Sequence, residues 1–94
     1  MRLVWSPQAV RDADDLTAYI ARDNPVAAIE VRDRIEQLVE GLLDYPRMGR
    51  PGRVPGTREL VISRTPYLVA YRVAGDTITV LRVLHGAQRW PEEQ

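Results

Sequence analysis

The chain of 94 residues contains no cysteine and no lysine, and His85 is its one histidine. Without cysteine, neither disulfides nor thiolate chemistry are available. With a single histidine, a His-based zinc site is implausible, and nothing else in the sequence suggests a cofactor. No apolar run approaches the roughly 20 residues of a membrane span, and no apolar signal region opens the chain. We therefore expect a cytoplasmic protein that needs no metal or cofactor and contacts no membrane.

The chain also lacks net charge, because 13 basic and 13 acidic side chains cancel, but these charges are unevenly placed. Every basic side chain is arginine, whose planar fork fits carboxylate and phosphate groups and does not deprotonate. Between Pro46 and Arg72, six arginines accompany one acid, Glu59, whereas the first predicted helix is rich in aspartate. A solvated basic loop and a binding face both fit this asymmetry.

Length and composition predict one small globular domain. Ninety-four residues leave no room for two cores, so we expect a single domain over residues 1–94. A domain of this size buries only about two thirds of its unfolded surface, which makes its stability marginal. A partner that covers apolar surface would therefore add usefully to stability.

Two capping signals predict a pair of helices after a short first strand at residues 2–5. Ser6 and Asn24 are each followed by proline, and their side chains can accept hydrogen bonds from free helix N–H groups. The first helix should end near Arg22 or Asp23, and the short link predicts an antiparallel hairpin. The apolar residues at helical spacing are Ala9, Ala13, Leu16 and Ile20 in the first helix and Ala28, Val31, Ile35, Leu38 and Leu42 in the second.

Three strand-like runs follow a loop at residues 47–56 that is rich in glycine, proline and arginine. The runs cover residues 59–64, 67–73 and 77–84, and their short links predict an antiparallel meander. The predicted fold is α+β in the order β-α-α-β-β-β: a short N-terminal strand, an antiparallel helix hairpin and a three-stranded meander. The hairpin should cover one sheet face and leave the other partly open, and the tail should fray from Glu92.

Alternation along the strands predicts which side chains share a face. In the middle run, Tyr67, Val69, Tyr71 and Val73 share one face. In the last run, Ile78, Val80 and Leu84 share a face with Arg82, and apolar residues on both faces indicate an interior strand. We expect the fold to bring four arginines close together, namely Arg58, Arg64, Arg72 and Arg82. Arg82 lies among apolar neighbours and needs a partner or a solvated face, so it is the arginine that we most readily assign to function.

Several short motifs occur in a fixed order along nearly the whole chain. They are Asn24-Pro25 with Ala27-Ala28, Tyr45-Pro46 with Gly49-Arg50, Gly56-Thr57-Arg58-Glu59-Leu60, Tyr67 through Tyr71-Arg72-Val73, and Arg82-Val83-Leu84-His85-Gly86. This ordered set resembles the RelE/ParE superfamily of bacterial toxins from type II toxin–antitoxin operons. The resemblance implies a growth-arresting, plasmid-stabilising toxin that a co-encoded antitoxin neutralises. It also implies that operator DNA is contacted only through the antitoxin.

The superfamily has two functional classes, and the residues of this chain must indicate which of the two it resembles more. RelE-like members cut messenger RNA on the ribosome without a metal, and ParE-like members bind DNA gyrase. Attack by a 2′-hydroxyl needs a base, an acid and cationic donors for the developing phosphorane charge. The positions that match the cationic strand set of RelE-like members are Glu59, Val61 and Leu68, and none of them can donate positive charge.

The ribonuclease class therefore rests on other residues here. By resemblance to branches that use a C-terminal histidine, its catalytic candidates are His85, Arg82, Arg64 and Glu59. The motif that ends in His85-Gly86 resembles the ParE-like ending, although the following residues 87–91 depart from the narrowest ParE-like pattern.

We expect gyrase binding without catalysis, and the ribosome-dependent mRNA endonuclease is the alternative. The residues expected to contact the target are Arg82, His85, Arg64, Arg58 and Trp90. Two further classes stay open: a binding module that has lost toxicity, and a nucleic-acid-binding domain that uses the arginine loop. Zero net charge and the lack of a recognition motif count against the last of these.

Overall fold

A computed structural model describes residues 1–91, in which two helices pack on a five-stranded sheet. The elements are β1 (Arg2–Trp5), α1 (Pro7–Ala21), α2 (Pro25–Gly41), β2 (Arg50–Pro51), β3 (Arg58–Val61), β4 (Tyr67–Ala74) and β5 (Thr77–His85). The predicted order of a strand, two helices and an antiparallel meander is confirmed. The fraying predicted from Glu92 lies outside the described residues. Within residues 1–91, neither helix combines the length and the apolar character that a membrane span requires.

The two predicted capping residues begin the helices as expected. Ser6 Oγ accepts a hydrogen bond from Ala9 N–H at 3.0 Å, and Asn24 Oδ1 accepts one from Ala27 N–H at 3.0 Å. Each satisfies a backbone donor that the first helical turn would otherwise leave unpaired. α1 ends at Ala21, within two residues of the predicted end, and α2 begins at Pro25, so the link of the hairpin is very short.

The sheet has the strand order β1-β5-β4-β3-β2, in which β1 is parallel to β5 and the other pairs are antiparallel. β5 is therefore an interior strand along its first half, as predicted. The prediction that residues 47–56 form only a loop is wrong at two positions, because Arg50 and Pro51 pair with Glu59 and Arg58. Proline is tolerated there because β2 is an edge strand, whose outer N–H groups need no partner.

A β-bulge in β5 changes which side chains enter the core. The register of β4 and β5 shifts between Ala70 and Tyr71, and Leu81 is the extra residue. Strict alternation from the start of β5 would place Leu84 in the core beneath the helices. The bulge moves the alternation by one position, so Val83 lies in that core. The prediction that Leu84 and Arg82 share a face with Ile78 and Val80 is therefore wrong.

The main core lies between the helix hairpin and one face of the sheet. Its buried residues are Ala9, Ala13, Ile35, Val39, Leu42, Leu60, Ile62, Val69, Tyr71, Ile78, Val80 and Val83. The far face is less open than predicted, because Leu68, Ala70 and Leu84 are also buried. Arg53 helps to cover the far face of the sheet. Its guanidinium donates to Gln88 O at 2.9 Å, so the loop before β3 contacts the segment after β5.

Candidate functional site at the end of the sheet

His85 is exposed at the last position of β5, and the turn that follows holds its ring in place. Its imidazole meets the ring of Tyr67 edge-on, with centroids 5.7 Å apart and planes at 88°. Ala87 N–H donates to His85 Nδ1 at 3.1 Å, so Nδ1 acts as an acceptor and Nε2 is the nitrogen left for an external partner. Gly86 N–H donates to Pro66 O at 2.7 Å, which ties this turn to the one between β3 and β4.

Arg82 has the partner that its apolar surroundings require, namely Asp12 of α1. Arg82 Nε lies 2.7 Å from Asp12 Oδ2 and Arg82 Nη2 lies 3.2 Å from Oδ1, while the two side chains are 15% and 10% exposed. Burial alone would raise the pKa of Asp12. Hydrogen bonds from Arg82, Gln8 and the Val83 backbone outweigh that effect and hold the pKa below its ordinary value of 3.8.

Asp12 lies there because the helix takes the place of a strand along β5. β1 pairs only with residues 77–80, and β5 continues to residue 85. Beyond the end of β1, Ser6 Oγ donates to Leu81 O at 3.0 Å and Val83 N–H donates to Asp12 Oδ2 at 3.0 Å. Sequence reasoning missed this role, although Asp12 follows Ala9 by three residues and so shares the inward face of α1.

Glu59 is a buried carboxylate that anchors the arginine-rich loop. It is 3% exposed, and its Oε2 accepts hydrogen bonds from Arg53 N–H at 3.0 Å and Arg53 Nε at 2.9 Å. Arg50 Nη2 adds a contact of 3.5 Å. Burial raises the pKa of Glu59, but the hydrogen bonds and charge of Arg53 and Arg50 prevail, so the pKa lies below 4.5.

The four arginines of the meander do not form one cluster, so that prediction is wrong. Arg64 lies in the turn after β3 with φ of 65°, because the strand ends before it. Arg58 is half-buried, and its Nη1 donates to Gly49 O at 2.7 Å. Arg72 is exposed on β4. Arg82 faces Asp12, so each guanidinium has its own surroundings.

The two tryptophans lie in different places. Trp5 is partly buried and packs against the main core. Trp90 is half-buried and lines a shallow groove with Arg53 and Gln88.

A groove of about 500 Å³ opens beside His85, between α1 and the end of β5. The residues that line it include Asp15, Leu16, Tyr19, Tyr67 and His85. Tyr19 is 65% exposed, although it is a large aromatic side chain. Within residues 1–91, no group of three or more acidic or histidine side chains is placed to hold a metal ion.

The candidate groups for catalysis are not brought together. Glu59 and Arg82 both flank Ala70 in neighbouring strands, so their Cα atoms are separated by two strand spacings, about 10 Å. Both are engaged in ion pairs, whereas His85 and Arg64 are exposed at the same end of the sheet. This end can donate hydrogen bonds and positive charge to a macromolecular surface.

Comparisons with known proteins agree with this architecture. A family model described as the ParE toxin of the type II toxin–antitoxin system parDE matches residues 3–90. Y4kP of Sinorhizobium fredii is 44% identical over 91 residues, which cover 97% of this chain and 94% of that protein. Toxin RelE2 of Caulobacter vibrioides is 31% identical over 93% of this chain and 97% of its own length. A chain of the solved chromosomal ParDE system from P. aeruginosa is 31% identical, with a TM-score of 0.82 over 90% of this chain and 95% of that one.

Proposed function

Because the chain belongs to the ParE toxin family of type II toxin–antitoxin systems, we propose that it arrests growth by binding DNA gyrase in the cytoplasm. A co-encoded antitoxin neutralises it in this proposal, and operator DNA is contacted only through that antitoxin. The family accounts for the toxin role. The choice of target rests on the chemistry at the end of the sheet, since the relatives carry both ParE and RelE names.

One observation supports binding over RNA cleavage: two of the four candidate catalytic groups are held in internal ion pairs. Glu59 is 3% exposed and is bound by Arg53, and Arg82 is bound by Asp12. Metal-free cleavage needs a free base or acid and cationic donors that face the reacting phosphate. Because Glu59 and Arg82 stabilise the fold through these ion pairs, binding to a partner protein suits this chain better than RNA cleavage does. Arg82 then acts by orienting the end of β5.

The exposed groups define the proposed contact surface for gyrase. His85 offers Nε2, and Arg64 offers a guanidinium that makes no hydrogen bond or ion pair with residues 1–91. Arg58 is half-buried and donates to its own loop, and Trp90 is half-buried in the groove that it lines with Arg53 and Gln88. We therefore assign smaller contributions to these two residues.

The target is tested by two assays run side by side on the purified protein. We expect inhibition of gyrase supercoiling, and we expect no cleavage of messenger RNA on translating ribosomes. Cleaved messenger RNA with supercoiling untouched would replace this proposal by the endonuclease alternative. The presence of an upstream short reading frame with a DNA-binding N-terminal part tests the antitoxin, and its absence would count against the module.

The size of the His85→Ala effect separates a contact from a catalyst. A lost hydrogen bond at an exposed contact is worth about 1 kcal/mol, or roughly fivefold in binding. Loss of a general acid or base lowers the rate by about 10²–10⁴-fold. We expect a change of at most about tenfold in gyrase inhibition, with Arg64→Ala giving a similar loss. Arg72→Ala is the matched control, because Arg72 is exposed and lies away from the turn that bears Arg64. A folded His85→Ala protein with no residual toxicity would contradict the contact role.

A further inference from the structure

A basic hollow lies where the loop after α2 meets the turn before β3. Its volume is about 330 Å³, and Arg47, Gly56, Arg58 and Val73 are among the residues that line it. None of the lining residues is acidic. Glu59 follows Arg58 directly in β3, so its side chain points to the opposite face of the sheet. The two positive charges of the hollow are therefore not compensated by a carboxylate in its lining.

Arg58 is held in one orientation by backbone carbonyl groups. Its Nη1 donates to Gly49 O at 2.7 Å and to Arg47 O at 3.4 Å. Its Nε and Nη2 make no hydrogen bond or ion pair with residues 1–91. These two nitrogens form the edge of the planar fork that pairs with two oxygens of one phosphate. Because the guanidinium is already half-buried and held, binding costs it little side-chain entropy.

Arg47 and Gly56 add two further features to the hollow. Arg47 is exposed, and its guanidinium makes no hydrogen bond or ion pair with the described part of the chain. Gly56 has φ of 82°, and a Cβ there would meet nothing within 4 Å, so the turn leaves open space at this point. Without a side chain at Gly56, a ligand can approach the backbone of the turn closely.

The hollow is separate from the end of the sheet that bears His85. Val73 lines the hollow, whereas Tyr67 at the start of β4 pairs with His85. The six residues from Tyr67 to Val73 span about 20 Å of strand. A partner at His85 and a ligand in the hollow therefore do not compete for the same surface.

We propose that the hollow binds two adjacent backbone phosphates of DNA. Arg58 pairs with one phosphate through Nε and Nη2, and Arg47 neutralises the next. A volume of about 330 Å³ is at the lower end of the range for small-ligand sites and accommodates a phosphate with its sugar. This inference rests on the proposed function, because gyrase acts on DNA, and the hollow would hold DNA while the end with His85 contacts gyrase. Since the chain has no net charge, the DNA contact alone is weak and adds to the gyrase contact.

Fluorescence anisotropy of a labelled mixed-sequence DNA duplex tests this proposal, with the full chain and no gyrase present. Two neutralised phosphates predict a slope of about −2 for the logarithm of the binding constant against the logarithm of the salt concentration. We expect Arg47→Gln to weaken binding about tenfold and to reduce that slope by about 1. Arg58 is left unchanged in the test because it also holds Gly49 O.

Arg72→Gln is the matched control, because it removes the same charge at an exposed position of β4. Arg72 precedes Val73 and so lies on the face of the sheet away from the hollow. We expect this variant to bind the duplex nearly as well as the unchanged chain. Equal losses in the two variants would overturn the proposal, since the attraction would then be spread over all arginines.

The ¹H–¹⁵N spectrum locates the bound DNA. We expect the duplex to shift the Gly56 amide and the Arg58 Nε resonance, and shifts confined to other residues would overturn the proposal. Tighter, Arg47-dependent binding of single-stranded RNA would assign the hollow to RNA instead. Binding of pyrophosphate without binding of the duplex would reduce it to a site for a small anion. Because gyrase is absent from these measurements, their failure leaves the gyrase proposal standing, and an unaffected supercoiling assay would remove only the latter.

Discussion

Replacing Asp12 by alanine removes the group that stands in for a missing strand beside β5. The variant loses both contacts with Arg82, at 2.7 and 3.2 Å, and the acceptor for Val83 N–H at 3.0 Å. What remains is an arginine whose side chain is only 15% exposed, without its carboxylate, and a backbone donor without an acceptor. Both are costly because neither group regains full hydration.

The expected loss is a large part of the stability of this domain. Removing one partner of a buried ion pair costs about 3–5 kcal/mol. At roughly 0.05–0.15 kcal/mol per residue, the 94 residues give a total free energy of unfolding of about 5–14 kcal/mol. Alanine is the better helix former by at most about 0.7 kcal/mol, which offsets little of the loss. We therefore expect Asp12→Ala to lower the free energy of unfolding by about 3–5 kcal/mol.

Urea denaturation followed by tryptophan fluorescence measures this loss, and Asp14→Ala is the control. Asp14 pairs with Arg32 at 3.1 Å, but its side chain is 62% exposed, so its loss should cost at most about 1 kcal/mol. Both variants make the same helix-propensity change two residues apart, so their difference isolates the buried contacts. Equal destabilisation of the two variants would refute the argument that Asp12 replaces a strand. A cycle with Arg82→Met then measures the coupling of the pair directly.

Three further predictions concern the loop that covers β3. Tyr71→Phe removes a hydroxyl that accepts from Gly49 N–H at 2.8 Å, and the buried donor left behind should cost about 1–3 kcal/mol in urea denaturation. Gly49→Ala should destabilise further, because a Cβ there would lie 2.8 Å from the Tyr71 ring, whereas Gly41→Ala meets nothing within 4 Å and should be neutral. Because the pKa of Glu59 lies below 4.5 in the folded chain, its contribution is present above pH 4.5 and is lost as pH falls through the folded pKa. Glu59→Gln should therefore lower stability at pH 7 and flatten its acid dependence in pH-resolved urea titrations, and an unchanged slope would contradict the assigned pKa.

Local signals in the sequence predicted the helices and the meander because those signals are themselves local. The capping hydroxyl of Ser6, the proline after it and the apolar spacing of α1 act within one or two turns. The alternation in β4 likewise placed Val69 and Tyr71 on one face, and that face is the one buried in the core. Helix caps, apolar spacing and strand alternation depend on residues that are close in the sequence, and the tertiary contacts of this fold stabilise the same helices and strands.

The misses share a different cause, which is long-range pairing. The bulge at Leu81 depends on how β5 meets β4, and a single inserted position reverses every later side chain. Arg50 is a strand residue because it pairs with Glu59, nine residues further along the chain. The partner of Arg82 is 70 residues distant in the chain, so an arginine that looked available for function proved to be engaged with Asp12. For the candidate site, the sequence located the exposed end with His85 but could not indicate which charges were free.

Arg53 joins segments that are 35 residues apart, since the guanidinium that binds Glu59 also donates to Gln88 O. In a chain without cysteine, this group performs the cross-linking that a disulfide performs in many small domains. The strength of this Arg53-mediated link depends on charge and hydration, because the Arg53 side chain is 33% exposed to solvent. Dissolved ions can therefore weaken it where a reductant would have no effect. Ionic strength is thus the solution variable that controls how firmly the segment after His85 is held against the arginine-rich loop.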